Sequence, residues 1–189
     1  MFANHQVPPE ALPDVEELDW RPLHPRFVRR LQVGTAIRTS AFAGIGAGAH
    51  YAAATGGLAA LLRAAPWLPA IVWSALAALS LWALAWPMIA VPRHDYAVRD
   101  RDILYRSGVL WRSVRAIPFN RVQHTKTDSA PLDRRFGLAN LSVFPAGGGG
   151  HKIRGLGRET AERLRAFVSA RIEAETGDEA LESDVGDAV

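Results

Sequence analysis

Six histidines, 22 basic side chains, one run of four glycines and no cysteine make up the chemical inventory of this 189-residue chain. His50, His94, His124 and His151 are scattered, without metal-ligand spacing or partner carboxylates, so they outline neither a metal centre nor a general-base site. The lack of cysteine excludes disulfides and thiolate metal sites. Gly147–Gly150 invites a phosphate-loop reading, but no Lys-Ser/Thr follows at the required spacing and no helix opens there. What remains is arginine, since Lys126 and Lys152 are the only lysines. Guanidinium groups hold phosphate and carboxylate bidentately. Arg99, Arg101, Arg121, Arg134 and Arg135 are the candidates to meet an anionic headgroup or an acidic partner. Two features weigh against a specific pocket. Arg99-Asp100-Arg101-Asp102 alternates its charge. Juxtamembrane bases are in any case drawn to anionic lipid by about 1 kcal/mol each. No catalytic set emerges, so the chain reads as non-enzymatic, with no cofactor and no metal.

The element that must position these groups is the stretch from Arg63 to Arg93, whose 29 intervening residues carry no charge. A hydrocarbon core about 30 Å thick needs about 20 apolar residues as a helix. Trp67 and Trp86 are 19 positions apart, about 28 Å along a helix at 1.5 Å per residue. That is the spacing of the two aromatic belts of a bilayer. The alternative, a buried helix of a soluble core, is disfavoured because the run exceeds ordinary globular helices.

A second charge-free run, Thr39 to Leu62, follows the basic collar Arg26, Arg29, Arg30 and Arg38. It is Ala/Gly-rich and only weakly hydrophobic. Ser40, Gly44, Gly48, Ala52, Gly56 and Ala60 fall at every fourth position and form a small-residue ridge of the kind that lets helices approach in lipid. Ala70, Ser74 and Ala78 repeat the period on the second run. The sequence therefore predicts an antiparallel transmembrane hairpin, about 39–62 and 67–91, turning near residue 65. His50 lies near the middle of the first span, and Ser80 is its expected hydrogen-bond partner at similar depth. Polar intramembrane residues are functional candidates, though a structural helix–helix contact accounts for this pair more simply.

Charge sets the orientation. One base, Arg63, lies in the connection, while the outer flanks hold the collar and Arg93, Arg99 and Arg101. The positive-inside bias then places both termini in the cytoplasm of a multi-pass protein of the bacterial inner membrane. Residues 1–20 hold five acids and no base, residues 173–189 seven acids and no base. Both ends are expected to project, 1–24 as an acidic, Pro-rich lead and 176–189 as a disordered acidic tail. No basic n-region or cleavage site marks a signal peptide. The basic body suits nucleic acid or anionic lipid. With a span present, lipid is the simpler partner and nucleic acid is not expected.

From Arg93 the pattern changes to short β-branched and aromatic runs, with turns at Asp100-Arg101-Asp102 and Ser107-Gly108. Further strands are expected at Leu138–Phe144 and His151–Leu156, then a helix from Arg158 to Glu175 with Ala161, Leu164, Phe167, Val168 and Ile172 on one face. The fold class is α+β: the helical hairpin of 25–92, then over 93–175 a small antiparallel barrel or sandwich capped by a C-terminal helix.

Arg121-Val122-Gln123-His124, Pro131-Leu132-Asp133-Arg134-Arg135-Phe136-Gly137-Leu138 and Leu141-Ser142-Val143 together resemble the signature of bacterial pleckstrin-homology domains. More narrowly, they resemble the YdbS-like membrane-flanked family. The resemblance covers about residues 20–172. It implies two transmembrane helices followed by a cytoplasmic domain of two antiparallel sheets and a capping helix. It also implies a binding or assembly module that forms homo-oligomers or works beside a larger paralogue with several such domains, and it implies no reaction. Phe136, Leu138, Leu141 and Val143 should fill the interior, and Gly137 a turn closed to side chains. Three roles follow in order: a membrane-anchored assembly module, a reader of anionic lipid headgroups, and a component of a transport or export complex.

Overall fold

The computed structural model describes residues 18–186, with side chains to residue 174. The N-terminal acidic segment thus lies mostly outside the described residues. Among the described residues, three long helices and seven strands are arranged as an α+β molecule with antiparallel sheets.

Helix α1 spans Arg26–Thr55, a short α2 spans Ala59–Ala64, and α3 spans Trp67–Ala90. Pro25 and Pro66 stand just before α1 and α3, where the missing N–H costs nothing. The expected span at 39–62 is therefore not one helix. Gly56-Gly57 breaks it, and the helix instead begins 13 residues earlier, inside the basic collar. Only α3, with Val91, Pro92 and Arg93 appended, is long and apolar enough to cross a membrane among the described residues. Its mean hydropathy is 1.9, and none of its most apolar window is buried within the protein. The two-span hairpin accordingly has one such helix in the structure, because alanine and glycine give α1 too little hydropathy.

The two helices nevertheless pack antiparallel. Gln32 Nε2 donates to the Leu84 carbonyl at 3.2 Å, and further along the Trp73 ring lies 3.4 Å from where a Cβ on Gly46 would stand. Gln32, Thr39, Gly46 and Ala53 on α1 and Trp73, Ser80 and Pro87 on α3, spaced by seven in each helix, are all at least partly buried. A seven-residue repeat is the signature of shallow left-handed packing. The expected four-residue ridge is not used within the chain. Gly44, Gly48 and Ala52 are exposed, a Cβ on Gly44 or Gly48 meets nothing within 4 Å, and Gly56 caps the helix rather than continuing it. Ala70, Ser74 and Ala78 are exposed as well. The bulky Trp73 ring decides the matter, since it needs a glycine opposite and finds Gly46.

The early break also moves the turn towards the N-terminus. His50 consequently faces Pro69 and Arg63 near the tip of the pair. Ser80 donates to Leu76 O of its own helix at 2.8 Å, so the expected His50–Ser80 contact is absent.

Sheet A orders β1 (Arg21–Pro22), β2 (Asp95–Val98), β3 (Asp102–Ser107) and β4 (Ser113–Pro118). Sheet B orders β5 (Val122–Asp128), β6 (Leu138–Pro145) and β7 (His151–Gly157). Every pairing is antiparallel. A short helix α4 (Pro131–Arg135) precedes β6, and α5 (Arg158–Gly186) closes the fold. Helix α5 runs past the expected end at residue 175. Most of the expected acidic tail thus falls within helix bounds, and 187–189 lie outside the described residues. The alanine, glutamate and leucine of this stretch favour helix.

The core gathers Ile103 and Ile117 from sheet A, Leu141, Val143 and Ile153 from sheet B, and Leu164 and Val168 from α5. It also takes Leu23, Phe27 and Val91, which belong to the segments bracketing the helical pair. Leu138, Leu141 and Val143 are buried as the sequence indicates, Phe136 is half-buried against them, and Gly137 has φ +68°.

Candidate functional site at the junction of helices and sheets

The sheet domain is built into the helical pair rather than tethered to it. Strand β1 adds to β2 through Arg21–Tyr96 and Pro22–Asp95, and Trp20 lies under the Arg106 guanidinium at 4.4 Å. Arg106 in turn pairs with Asp95 at 2.7 Å. The segment expected to trail free up to residue 24 is therefore fixed from Trp20 onwards, held by strand hydrogen bonds and by cation–π contact.

Beside it, Arg30 of α1 reaches Asp133 of α4 at 2.5 Å, with the carboxylate almost wholly buried. Asp133 also accepts from the Ala130 backbone N–H at 3.1 Å, capping α4, and from Asn140 Nδ2 at 3.3 Å. Asn140 Oδ1 accepts from the Gly155 N–H at 3.3 Å. A polar chain thus runs from the first helix through α4 to sheet B. It continues at Asp128, which takes Lys152 Nζ at 2.7 Å and Ser142 Oγ at 3.3 Å. Burial pushes the Asp128 carboxyl up, but the hydrogen bonds and charge of Lys152, with Asn140 and Ser142, outweigh it and hold it below its ordinary value.

The sign of the linkage follows. A carboxylate with a depressed folded-state pKa stabilises the fold above its unfolded value, near pH 3.9, and that contribution disappears as pH falls through the folded value. Asp128→Asn is therefore expected to flatten the acid limb of a melting-temperature profile below about pH 5. An unchanged acid limb would exclude Asp128 as a contributor.

The five arginines singled out by sequence do not form one cradle. Arg99 sits 3.7 Å from Asp102 as an ion pair, and Arg101 is exposed with its carbonyl taken by the Phe119 N–H. Arg121 is exposed two residues beyond Phe119. Arg134 donates to Ser129 O at 2.9 Å, and Arg135 is exposed beside it on α4. Arg99, Arg101 and Arg121 thus share a loop region of the sheets, while Arg134 and Arg135 lie near α1. Among the described residues no group of three His, Asp or Glu is placed to hold a metal ion. His124 stacks on Phe144 at 4.4 Å and His94 on Tyr105 at 6.2 Å, both in packing roles.

The groups that do converge were not singled out. A groove of about 1070 Å³ opens between the base of the helices and the sheets. Phe42, Trp82 and Trp86 stand on its helical wall, and Arg38 of α1 with Lys152 and Arg154 of β7 supplies its cations. The sequence signal was available in Arg38 at the boundary of the charge-free run, but Lys152 and Arg154 reach it only through the pairing of β7.

The family model for the bacterial PH domain matches residues 44–172. The chain belongs to the bacterial PH domain family. Within it, the chain is YdbS-like: it is 34% identical over 74 residues to the UPF0699 transmembrane protein YdbS of Bacillus subtilis (strain 168). That alignment covers 39% of this chain and 46% of the relative, so the chain spans about half the length of the curated relative it matches. No solved structure matches the chain. This bacterial PH chain is a membrane protein: its relative is a transmembrane protein and α3 is an apolar helix of spanning length. The match begins at residue 44, so β1, Phe27 and Arg30, which lock the bacterial PH domain to its helices, precede the matched segment.

Proposed function

We propose that this chain is a two-span membrane anchor that presents its bacterial PH domain in a fixed pose on the cytoplasmic face of the inner membrane, where the domain serves as an assembly module. The reading rests on the joint. The domain core includes Leu23 before the first helix, Phe27 in its first turn and Val91 after the third, and Arg30–Asp133 ties helix to sheet domain. A domain held at three points has a defined height and orientation above the bilayer, which suits assembly with other membrane chains.

The helices supply the second part of the argument. Phe42, Ile45 and Tyr51 on α1 are each at least 70% exposed, and Leu79 and Leu81 on α3 nearly so. Apolar surface of this extent needs lipid or another chain over it. Both termini are assigned to the cytoplasm on the bases that flank the pair. The partner is a second copy or a larger paralogous PH-domain membrane protein, and surrounding lipid fills the rest. Membership of a transport or export complex is a narrower form of the same role. In sheet A, β4 is an edge strand with Val114 exposed, a free ladder for a partner's strand.

The ridge Gly44, Gly48 and Ala52 faces away from α3, so it is available to a neighbouring helix. Gly48→Leu is expected to reduce crosslinked dimer by about tenfold in mild detergent, as for a contact of about 1–2 kcal/mol. Gly46→Leu should instead disturb the helical pair itself, because Trp73 already fills that space. Crosslinking with mass spectrometry reads self-association and co-purifying chains together. A wild-type chain that emerges monomeric and alone would end the assembly reading.

A further inference from the structure

We propose that the groove between the helix base and the sheets is a seat for one anionic phospholipid of the surrounding bilayer, acyl chains against the helices and phosphate at Arg38 and Arg154. Its occupant is set by a lining that joins cations to exposed aromatic rings. Phe42 and Trp82, 72% and 62% exposed, form an apolar wall that runs directly into the outward faces of α1 and α3. That wall is continuous with the surface that lipid tails cover. Arg38, on the turn of α1 before Phe42, and Lys152 and Arg154, on β7, line the same groove, and among the described residues no aspartate or glutamate does. Lys152 is engaged by Asp128 at 2.7 Å, which leaves Arg38 and Arg154 as the principal anion donors. Arg38 donates to Thr35 Oγ1 at 3.1 Å, and both residues line the groove.

His94 and Tyr105, whose rings stack at 6.2 Å, line the groove as well. Burial pushes the Tyr105 phenol up, against the opposing charges of Arg154 and Arg115, so it remains a neutral hydroxyl able to donate to an ester or phosphate oxygen. Cations interleaved with aromatic rings, beside helix faces that are apolar and exposed, match the headgroup level of a bilayer. A water-soluble anion would use the arginines and leave the aromatic wall bare. The arginines involved are not those that the sequence singled out. The seat depends on the two-span placement, because α1 must lie in the bilayer for tails to reach Phe42.

The test is native mass spectrometry of the full chain exchanged into vesicles of phosphatidylglycerol and phosphatidylcholine and then released into mild detergent. One phosphatidylglycerol is expected to stay bound at activation that strips phosphatidylcholine. The double variant Arg38→Gln/Arg154→Gln should reduce the retained lipid by about tenfold, since two charge-assisted contacts are lost. Arg99→Gln/Arg101→Gln should retain it like the wild type. Trp82→Ala, which keeps both cations, should also lose the diacyl lipid, so a folding defect of the double variant would not shield the proposal. Equal retention of the two lipids, or full retention by the double variant, would overturn it. Competition by glycerol phosphate would overturn it too, by assigning the site to a free anion. Carbonate extraction of the same membranes reports the two-span placement separately, so a failed placement and a failed seat are told apart.

Discussion

Replacing Asp133 by alanine is expected to cost about 3–5 kcal/mol, the loss seen when one partner of a buried ion pair is removed. The carboxylate is almost entirely enclosed and receives Arg30 Nε, the Ala130 N–H and Asn140 Nδ2. Alanine leaves the guanidinium of Arg30 half-buried without its counter-ion, the first turn of α4 uncapped, and Asn140 short of an acceptor. A cap alone is worth about 1 kcal/mol. Asp133→Asn keeps an acceptor for the cap and should lose less. Arg30→Met strands the carboxylate and should lose nearly as much as the alanine substitution. The double variant Arg30→Met/Asp133→Leu should recover part of the loss, because replacing both partners by apolar groups avoids the stranded charge. Thermal unfolding of the detergent-solubilised chain would show a drop of more than about 10 °C for Asp133→Ala. A shift within a degree or two would mean that the pair is solvated and contributes nothing to the joint.

The same residue shows how far the sequence could be read. Pro131-Leu132-Asp133 signals a turn before a strand, and the structure has a short helix there with Asp133 at its third position. The local signal is sound, but the partner is 103 residues away in a collar that reads as lipid-facing charge. Arg30 looks like Arg29 in the sequence, and only the fold distinguishes them. Strands β6 and β7 and the start of α5 were legible because alternating apolar residues and glycines bound them closely. Strand β1 was not, since two residues carry no periodicity and its partner lies beyond the whole helical pair. The helix seam failed for a different reason. Several small-residue stripes coexist in an Ala/Gly-rich helix, and the one that packs is chosen by where the opposing tryptophan falls. The same holds for the site. Arginines were visible as a class, while the convergence of Arg38 and Arg154 on one groove depends on strand register.

Gly155→Ala tests the joint from its other side and should be nearly as damaging. Gly155 has φ +73°, which costs an L-residue about 1 kcal/mol or more. A Cβ there would fall well inside contact distance of the Phe27 ring. The backbone cannot withdraw, because its carbonyl accepts from the His24 N–H at 2.9 Å and its N–H is held by Asn140. Phe27 cannot withdraw either, since it enters the core at the first turn of α1. Overpacking of this kind costs about 1–3 kcal/mol, giving about 2–4 kcal/mol with the backbone strain. Phe27→Ala alone should cost about 3–5 kcal/mol through the cavity that it leaves. In the double variant the added methyl occupies part of that cavity, so introducing Gly155→Ala on top of Phe27→Ala should cost only about 1 kcal/mol, the backbone part. The resulting coupling of about 1–3 kcal/mol is the measurable mark of a helix seated directly on strand β7. Limited trypsin digestion offers a second readout, with cleavage after Arg26 or Arg93 rising as the domain comes loose from its helices. Additive losses and unchanged cleavage would mean that the domain hangs from the bilayer on a swivel, and the fixed pose on which the assembly role depends would fail with it.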